Sequence, residues 1–304
     1  MAKQRSRIRG FAALLLAVSL ALCPACTPTT ENSENSSESS EITNSSASSE
    51  SSKDSSDILL PEDSESAPEN SESELIESEI EIPNMSAEIA AQKENNPDTV
   101  GWIQIPNTEV NDAVVQRQGA DDNDYYLRKD KDGKYSWYGC YFGDYESVFG
   151  SREELTRNNI IYAHNLGYND NPDRPDFSQL FHYLDEDFAE SNPYIFFSTE
   201  DEDMVWEIFA VFYSEDTSWY ILVDIEDAVQ NAIINEAKMR SQWIYDVEVD
   251  ENDKLLTLST CSYKYGGALD PQRFVVMARL VEKDKPLPAT IEIEPNPEPK
   301  EPVF

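Results

Sequence analysis

The chain has 304 residues, and 60 acidic against 23 basic side chains leave a formal net charge of −37. No basic stripe interrupts that surplus, which excludes nucleic acid as a partner. Four cysteines, only two of them in the body of the chain, are too few for a disulfide framework, so each thiol is read on its own.

Lys3, Arg5, Arg7 and Arg9 precede an apolar run from Phe11 to Leu22, the layout of a secretory signal or membrane anchor. The run is shorter than the roughly 20 residues of a bilayer span. It ends in Leu20-Ala21-Leu22-Cys23-Pro24-Ala25-Cys26, which resembles a bacterial lipoprotein cleavage site with Cys26 as the candidate lipidation residue. Cys23 stands where an aliphatic residue is usual, so an uncleaved anchor and an ordinary signal peptide stay open. Residues 1–26 are therefore read as an export segment that holds the protein at the extracytoplasmic face of the membrane, by the segment itself or by a lipid.

Residues 27–84 are Ser, Glu, Asn and Thr with scarcely any side chain to bury. Such a stretch cannot offset the entropy of ordering, and it predicts a solvated, self-repelling tether. From Met85 to Lys283 the aromatic and aliphatic content rises enough for one domain of about 200 residues. Residues 284–304 form a Pro- and Glu-rich tail.

Within the domain, Met85 to Lys93 predicts a short helix closed by Asn95-Asn96-Pro97. Val100 to Ile105, Ala113 to Gln116 and Tyr138 to Phe142 predict strands punctuated by turn residues. Asn159 to His164 is a β-branched run that delivers a histidine to its end. Phe177 to Leu184 has helical spacing, and Tyr194 to Ser198 and Met204 to Tyr213 read as strands. Ile225, Val229, Ile233 and Ala237 recur at helical spacing within Asp224 to Gln242, predicting a long helix. Lys254 to Cys261 and Arg273 to Val281 are the last strands. Many short strands with few helices predict a mainly β fold, an all-β barrel with inserted helices.

Three side chains at strand ends carry the chemistry. Cys261 ends a strand at a Gly-rich loop, although a lone cysteine beside a strand is more often a buried small apolar group. If Ser262 to Gln272 closes a hairpin, Arg273 returns to the same end. His164 ends another strand, and His182, the other histidine of the chain, lies among Phe181, Tyr183 and Leu184, where packing accounts for it. Together a thiolate is the nucleophile, an imidazole can protonate a departing amine, and a guanidinium fork can orient a developing oxyanion. Cys140, on a predicted strand, reads as a buried structural thiol.

The runs Ile161-Tyr162-Ala163-His164-Asn165, Thr257-Leu258-Ser259-Thr260-Cys261 and Arg273-Phe274-Val275-Val276 resemble the three signatures of the sortase family, in its order of His, Cys and Arg. The opening Asn96-Pro97-Asp98-Thr99-Val100-Gly101-Trp102-Ile103 and the long helix before the Cys strand are similar to class B members. The resemblance covers residues 85–283 and implies an eight-stranded β-barrel with an N-terminal helix, a catalytic His164, Cys261 and Arg273, and transpeptidation through a thioacyl-enzyme. It implies as substrates exported proteins with a C-terminal sorting motif of the Asn-Pro-x-Thr type. The acceptor it implies is an amine of peptidoglycan, or a pilin lysine. By the same resemblance Asn123, Ser259 and Thr260 contact substrate. No metal or organic cofactor is implied.

Two pentapeptide-like runs are set aside. Leu287-Pro288-Ala289-Thr290-Ile291 looks like a sorting motif but lacks the following Gly, apolar stretch and basic tail, and Asn96-Pro97-Asp98-Thr99 is explained by the end of a helix. Two other functions use the same residues: a cysteine endopeptidase with water as acceptor, and a non-catalytic surface lipoprotein that binds through a barrel mouth.

Overall fold

The computed structural model describes residues 80–117, 119–167, 169–266 and 271–304. The apolar run, the tether and Cys26 lie outside the described residues. Among the described residues no helix is long and apolar enough to cross a membrane.

Helix α1, Ser86–Asn95, presents Ile89 and Gln92 inward and carries Glu88 in its first turn and Lys93 in its last, the sense that complements the helix dipole. Pro97 forces the residue before it out of helical geometry, and Asn96 is extended at φ −140° and ψ 108°. Asn96 also fastens this end: its Nδ2 donates to Tyr126 Oη at 2.8 Å and to Lys131 O at 2.7 Å.

The strands are β1 Thr99–Gln104, β2 Asn111–Val115, β3 Tyr141–Gly143, β4 Asn158–Tyr162, β5 Tyr194–Ser198, β6 Val205–Glu215, β7 Trp243–Tyr245, β8 Leu255–Cys261, β9 Gln272–Leu280 and β10 Ile293–Pro295. Eight of them close a barrel in the order β1-β2-β3-β4-β8-β9-β6-β5, and β10 pairs with β7 as a separate ribbon. Closure removes the unpaired edges that an open sheet would expose. The pairings β2–β3 and β4–β8 are parallel and the rest of the barrel is antiparallel.

Strand β6 is buried along ten of its eleven residues rather than on alternate ones. Trp206, Ile208, Ala210 and Phe212 belong to the main core, and helix α3, Asp227–Arg240, packs against the strand. Burial on both faces accounts for a strand that is mostly apolar without alternation.

The expected helix at Phe177–Leu184 is a 3-10 helix. Phe177, Leu180 and Tyr183 are fully buried, and their spacing of three superposes them on one face at three residues per turn. A short α-helix, α2 Glu186–Ser191, follows, capped where Asp185 Oδ1 accepts from Phe188 N. The strand expected from Tyr138 begins only at Tyr141, because Gly139 at φ +71° breaks the extended chain. Residues 284–304 carry β10, with Ile293 buried against the domain, and Asn296 N and Lys300 N donate to Gln242 O and Met239 O at 2.9 Å. The chain after Lys283 is thus a strap laid over β7 and the end of α3, held by alternate aliphatic residues Ile291 and Ile293.

Candidate active site

The last two barrel strands fix the first part of the site. In the antiparallel register of β8 and β9, Cys261 stands directly opposite Arg273. On the other side β8 runs parallel to β4, with Tyr162 level with Ser259. Two residues further along both chains this register brings His164 level with Cys261. β4 ends at Tyr162, so His164 sits just beyond the strand rather than on its last position, because Ala163 O accepts from Thr260 Oγ1 at 2.8 Å instead of continuing the ladder.

His164, Cys261 and Arg273 line one cleft of about 280 Å³. A larger groove of about 1030 Å³ at Lys238, Asp246, Lys254 and Arg279 contains neither cysteine nor histidine. Among the described residues no group of His, Cys, Asp and Glu could hold a metal ion.

Cys261 is half-buried and free. Its carbonyl accepts from Asn165 Nδ2 at 3.0 Å. The chain just after it is pinned by Asp170, whose carboxylate accepts from Ser262 Oγ at 2.7 Å and from Tyr263 N at 2.9 Å. Asp170 also accepts from Asn165 Nδ2 at 2.8 Å, so one carboxylate ties the loop after β4 to the turn after β8. Cys140 is also free, but burial pushes its thiol well up, and the nearby Asp176 carboxylate adds to the effect. A thiol held protonated is a packing group, which leaves Cys261 as the nucleophile candidate.

The imidazole of His164 is gripped by the loop between β2 and β3. Its Nε2 lies 2.7 Å from Leu127 O and 3.0 Å from Arg128 Nη1. These contacts demand opposite roles. A protonated Nε2 donates to Leu127 O, whereas an unprotonated one accepts from Arg128. The Leu127 carbonyl thereby anchors the ring whenever Nε2 carries a hydrogen. Arg128 lies over the Trp137 ring at 4.5 Å and donates to Trp137 O at 3.1 Å. Gly139 packs under the imidazole, where a Cβ would come within 2.8 Å of His164 Cδ2. His182, by contrast, stacks on Phe188 at 5.1 Å and is absent from the cleft.

The Arg273 guanidinium pairs with Asp216 at 2.9 Å and donates to Gln272 O at 3.0 Å. The remaining sequence candidates also line the cleft, each with internal partners. Ser259 Oγ lies 3.1 Å from Tyr220 Oη, Thr260 Oγ1 is engaged with Ala163 O, and Asn123 Nδ2 donates to Asp144 Oδ2 at 2.8 Å. Burial pushes the Tyr220 hydroxyl up to about 12 and Tyr162 well up, the latter helped by Asp144, so both remain neutral hydrogen-bonding groups. Sequence reasoning missed Leu127, Tyr162, Asp216 and Tyr220 as cleft residues. An isolated tyrosine or loop aspartate carries no pattern that separates it from dozens of others.

A family model described as the Sortase domain matches residues 103–281. Sortase B of Listeria monocytogenes is 32% identical over 194 residues, covering 62% of this chain and 72% of that protein. A structure of the Staphylococcus aureus sortase B–substrate complex superposes with a TM-score of 0.56 at 27% identity, over 66% of this chain and 87% of that one. A sortase B complexed with triglycine matches with a TM-score of 0.57 at 27% identity, over 66% and 88% of the two chains.

Proposed function

Because this chain belongs to the sortase family, with class B members as its relatives, we propose that Cys261 cleaves a C-terminal sorting motif of the Asn-Pro-x-Thr type in exported proteins and passes the acyl group to a cell-wall amine. One observation carries the assignment of roles: Cys261 faces Arg273 across the β8–β9 ladder, and both share a cleft with His164.

The Cys261 thiolate adds to the carbonyl carbon of the motif's Thr, and the carbonyl oxygen takes the negative charge. Free N–H groups of Arg273 stabilise that oxyanion without giving up a proton. Collapse breaks the peptide bond, and the His164 imidazolium gives a ring proton to the leaving nitrogen. A thioester remains on Cys261 and His164 is neutral. An incoming amine then adds to the thioester carbonyl, and its proton passes to His164. Expulsion of the Cys261 thiolate forms the new amide and restores the starting state.

The sorting motif is argued from class B kinship, and S. aureus sortase B binds its substrate on the same fold. A sortase B that holds triglycine supports an amine-terminated acceptor, with peptidoglycan favoured over a pilin lysine. We assign the enzyme to the extracytoplasmic face of the membrane, held by the N-terminal apolar segment or by a lipid on Cys26. Mass spectrometry of the mature N-terminus distinguishes these two anchors.

The test is a labelled Asn-Pro-x-Thr peptide incubated with and without triglycine. The amine adduct should predominate over the free acid. Acid alone would make the protein an endopeptidase. Cys261→Ala and His164→Ala should abolish cleavage, and Arg273→Lys should lose most of it, since a point charge does not replace the fork. Full turnover by Cys261→Ala would overturn the assignment.

A further inference from the structure

The Arg273 guanidinium does not stand free in the cleft. Its Nη2 lies 2.9 Å from Asp216 Oδ2, and its Nη1 donates to Gln272 O at 3.0 Å. Asp216 is the first residue beyond β6, on the side of β9 away from the nucleophile. Ser214 of β6 is the cross-strand partner of Arg273 there, as Cys261 of β8 is on the other side. The backbone of Asp216 is fixed as well, because its N–H donates to Pro271 O at 3.0 Å. Asp216 is among the residues that line the cleft with Cys261 and His164.

The two side chains are 25% and 44% exposed, and a pair this open to water contributes little to stability. Its effect on geometry is larger. Arginine at a strand end has a long stem with many rotamers, and each one populated away from the reacting oxygen is lost to catalysis. Guanidinium carries five N–H donors in one plane. The contacts to Asp216 and Gln272 O engage two of them on separate nitrogens, which fixes the plane and leaves three donors for a substrate oxygen.

We propose that Asp216 is a positioning residue for the transfer reaction and acts through Arg273, holding the guanidinium plane so that its remaining donors are in place when charge develops on the substrate carbonyl. This rests on the reading of Cys261 as nucleophile and Arg273 as the group that meets the oxyanion.

The experiment uses the full chain, the Asn-Pro-x-Thr peptide and triglycine, and measures steady-state kinetics, single-turnover acylation and Tm. Asp216→Asn and Asp216→Ala should lower the acylation rate by about 10²-fold, the scale of a misplaced catalytic group, with KM and Tm nearly unchanged. Asp216→Glu, which keeps a carboxylate, should recover part of the rate. In an Arg273→Lys background Asp216→Ala should cost nothing further, because the fork it positions is gone. An equal loss in both backgrounds would overturn the proposal, since Asp216 would then act independently of Arg273. A rate at or above wild type for Asp216→Ala would overturn it too, since the carboxylate would then be idle or restraining. Failure of the underlying assignment looks different: Cys261→Ala would still turn over, whatever Asp216 does.

Discussion

At the scale of single residues, Gly139 bears on catalysis without carrying a functional group. Its φ of +71° and the 2.8 Å that would separate an added Cβ from His164 Cδ2 both exclude a side chain. Gly139→Ala should cost about 1 kcal/mol in backbone strain alone. It should also displace the imidazole, and a shift of that kind lowers kcat by about 10²-fold. Rapid-mixing kinetics alongside thermal melting checks this, and unchanged kcat would show that the ring has room to move. Cys261, His164 and Arg273 stood out in the sequence because each lies at or next to the end of a strongly patterned strand. Asp216 and Asp170 were not. Each is one acidic residue among 60 in a loop, and only the fold brings it to Arg273 or to the turn after Cys261.

At the scale of elements, the strand series and the long helix were readable from period and turn residues, while two departures trace to local sequence. Gly139 shortened β3, and spacing of three tightened Phe177–Leu184 into a 3-10 helix. Entry to that helix carries a titration. Burial raises the Asp176 carboxyl from 3.8 to about 6, with Asp112 adding to the rise. The folded chain therefore binds this proton more tightly than the unfolded chain does. Its contribution favours the native state below the unfolded value and is lost as pH rises towards 6. Asp176→Asn removes the buried charge and tolerates the left-handed φ of 58°. The variant should be more stable than wild type at pH 7.5, by about 1–3 kcal/mol, with the gap closing below about pH 4. Urea melts at the two pH values test it, and a pH-independent difference would point to a cause other than ionisation.

At the scale of the whole molecule, the strap formed by residues 291–304 joins regions far apart in the barrel. Lys300 pairs with Glu236 at 2.6 Å on α3, where Glu236 also meets Arg240, and Arg240 meets Glu215 at the end of β6. Further along, Glu301 accepts from Tyr265 Oη, and the Phe304 and Tyr265 rings lie 5.4 Å apart. Tyr265 belongs to the loop that follows Cys261, so the strap, which lies beyond the family match at 103–281, steadies that loop. Deleting residues 296–304 should speed amide exchange at Tyr263 to Gly266 and raise KM for the sorting peptide, while exchange in β6 and β9 stays slow. Unaltered exchange in that loop would show that the strap only rests on it.

The parallel contact between β4 and β8 sets the order in which this molecule can come alive. Thr260 and Ala163, which bridge the two strands, are 97 residues apart in the chain. The nucleophile strand lies between β4 and β9, so the site is incomplete until β9, the last barrel strand in the sequence, has been made. Pairings this distant in sequence are slow to find, on the order of milliseconds to seconds in sheet-rich domains. During synthesis a chain that ends before β9 therefore holds Cys261 without Arg273 opposite it.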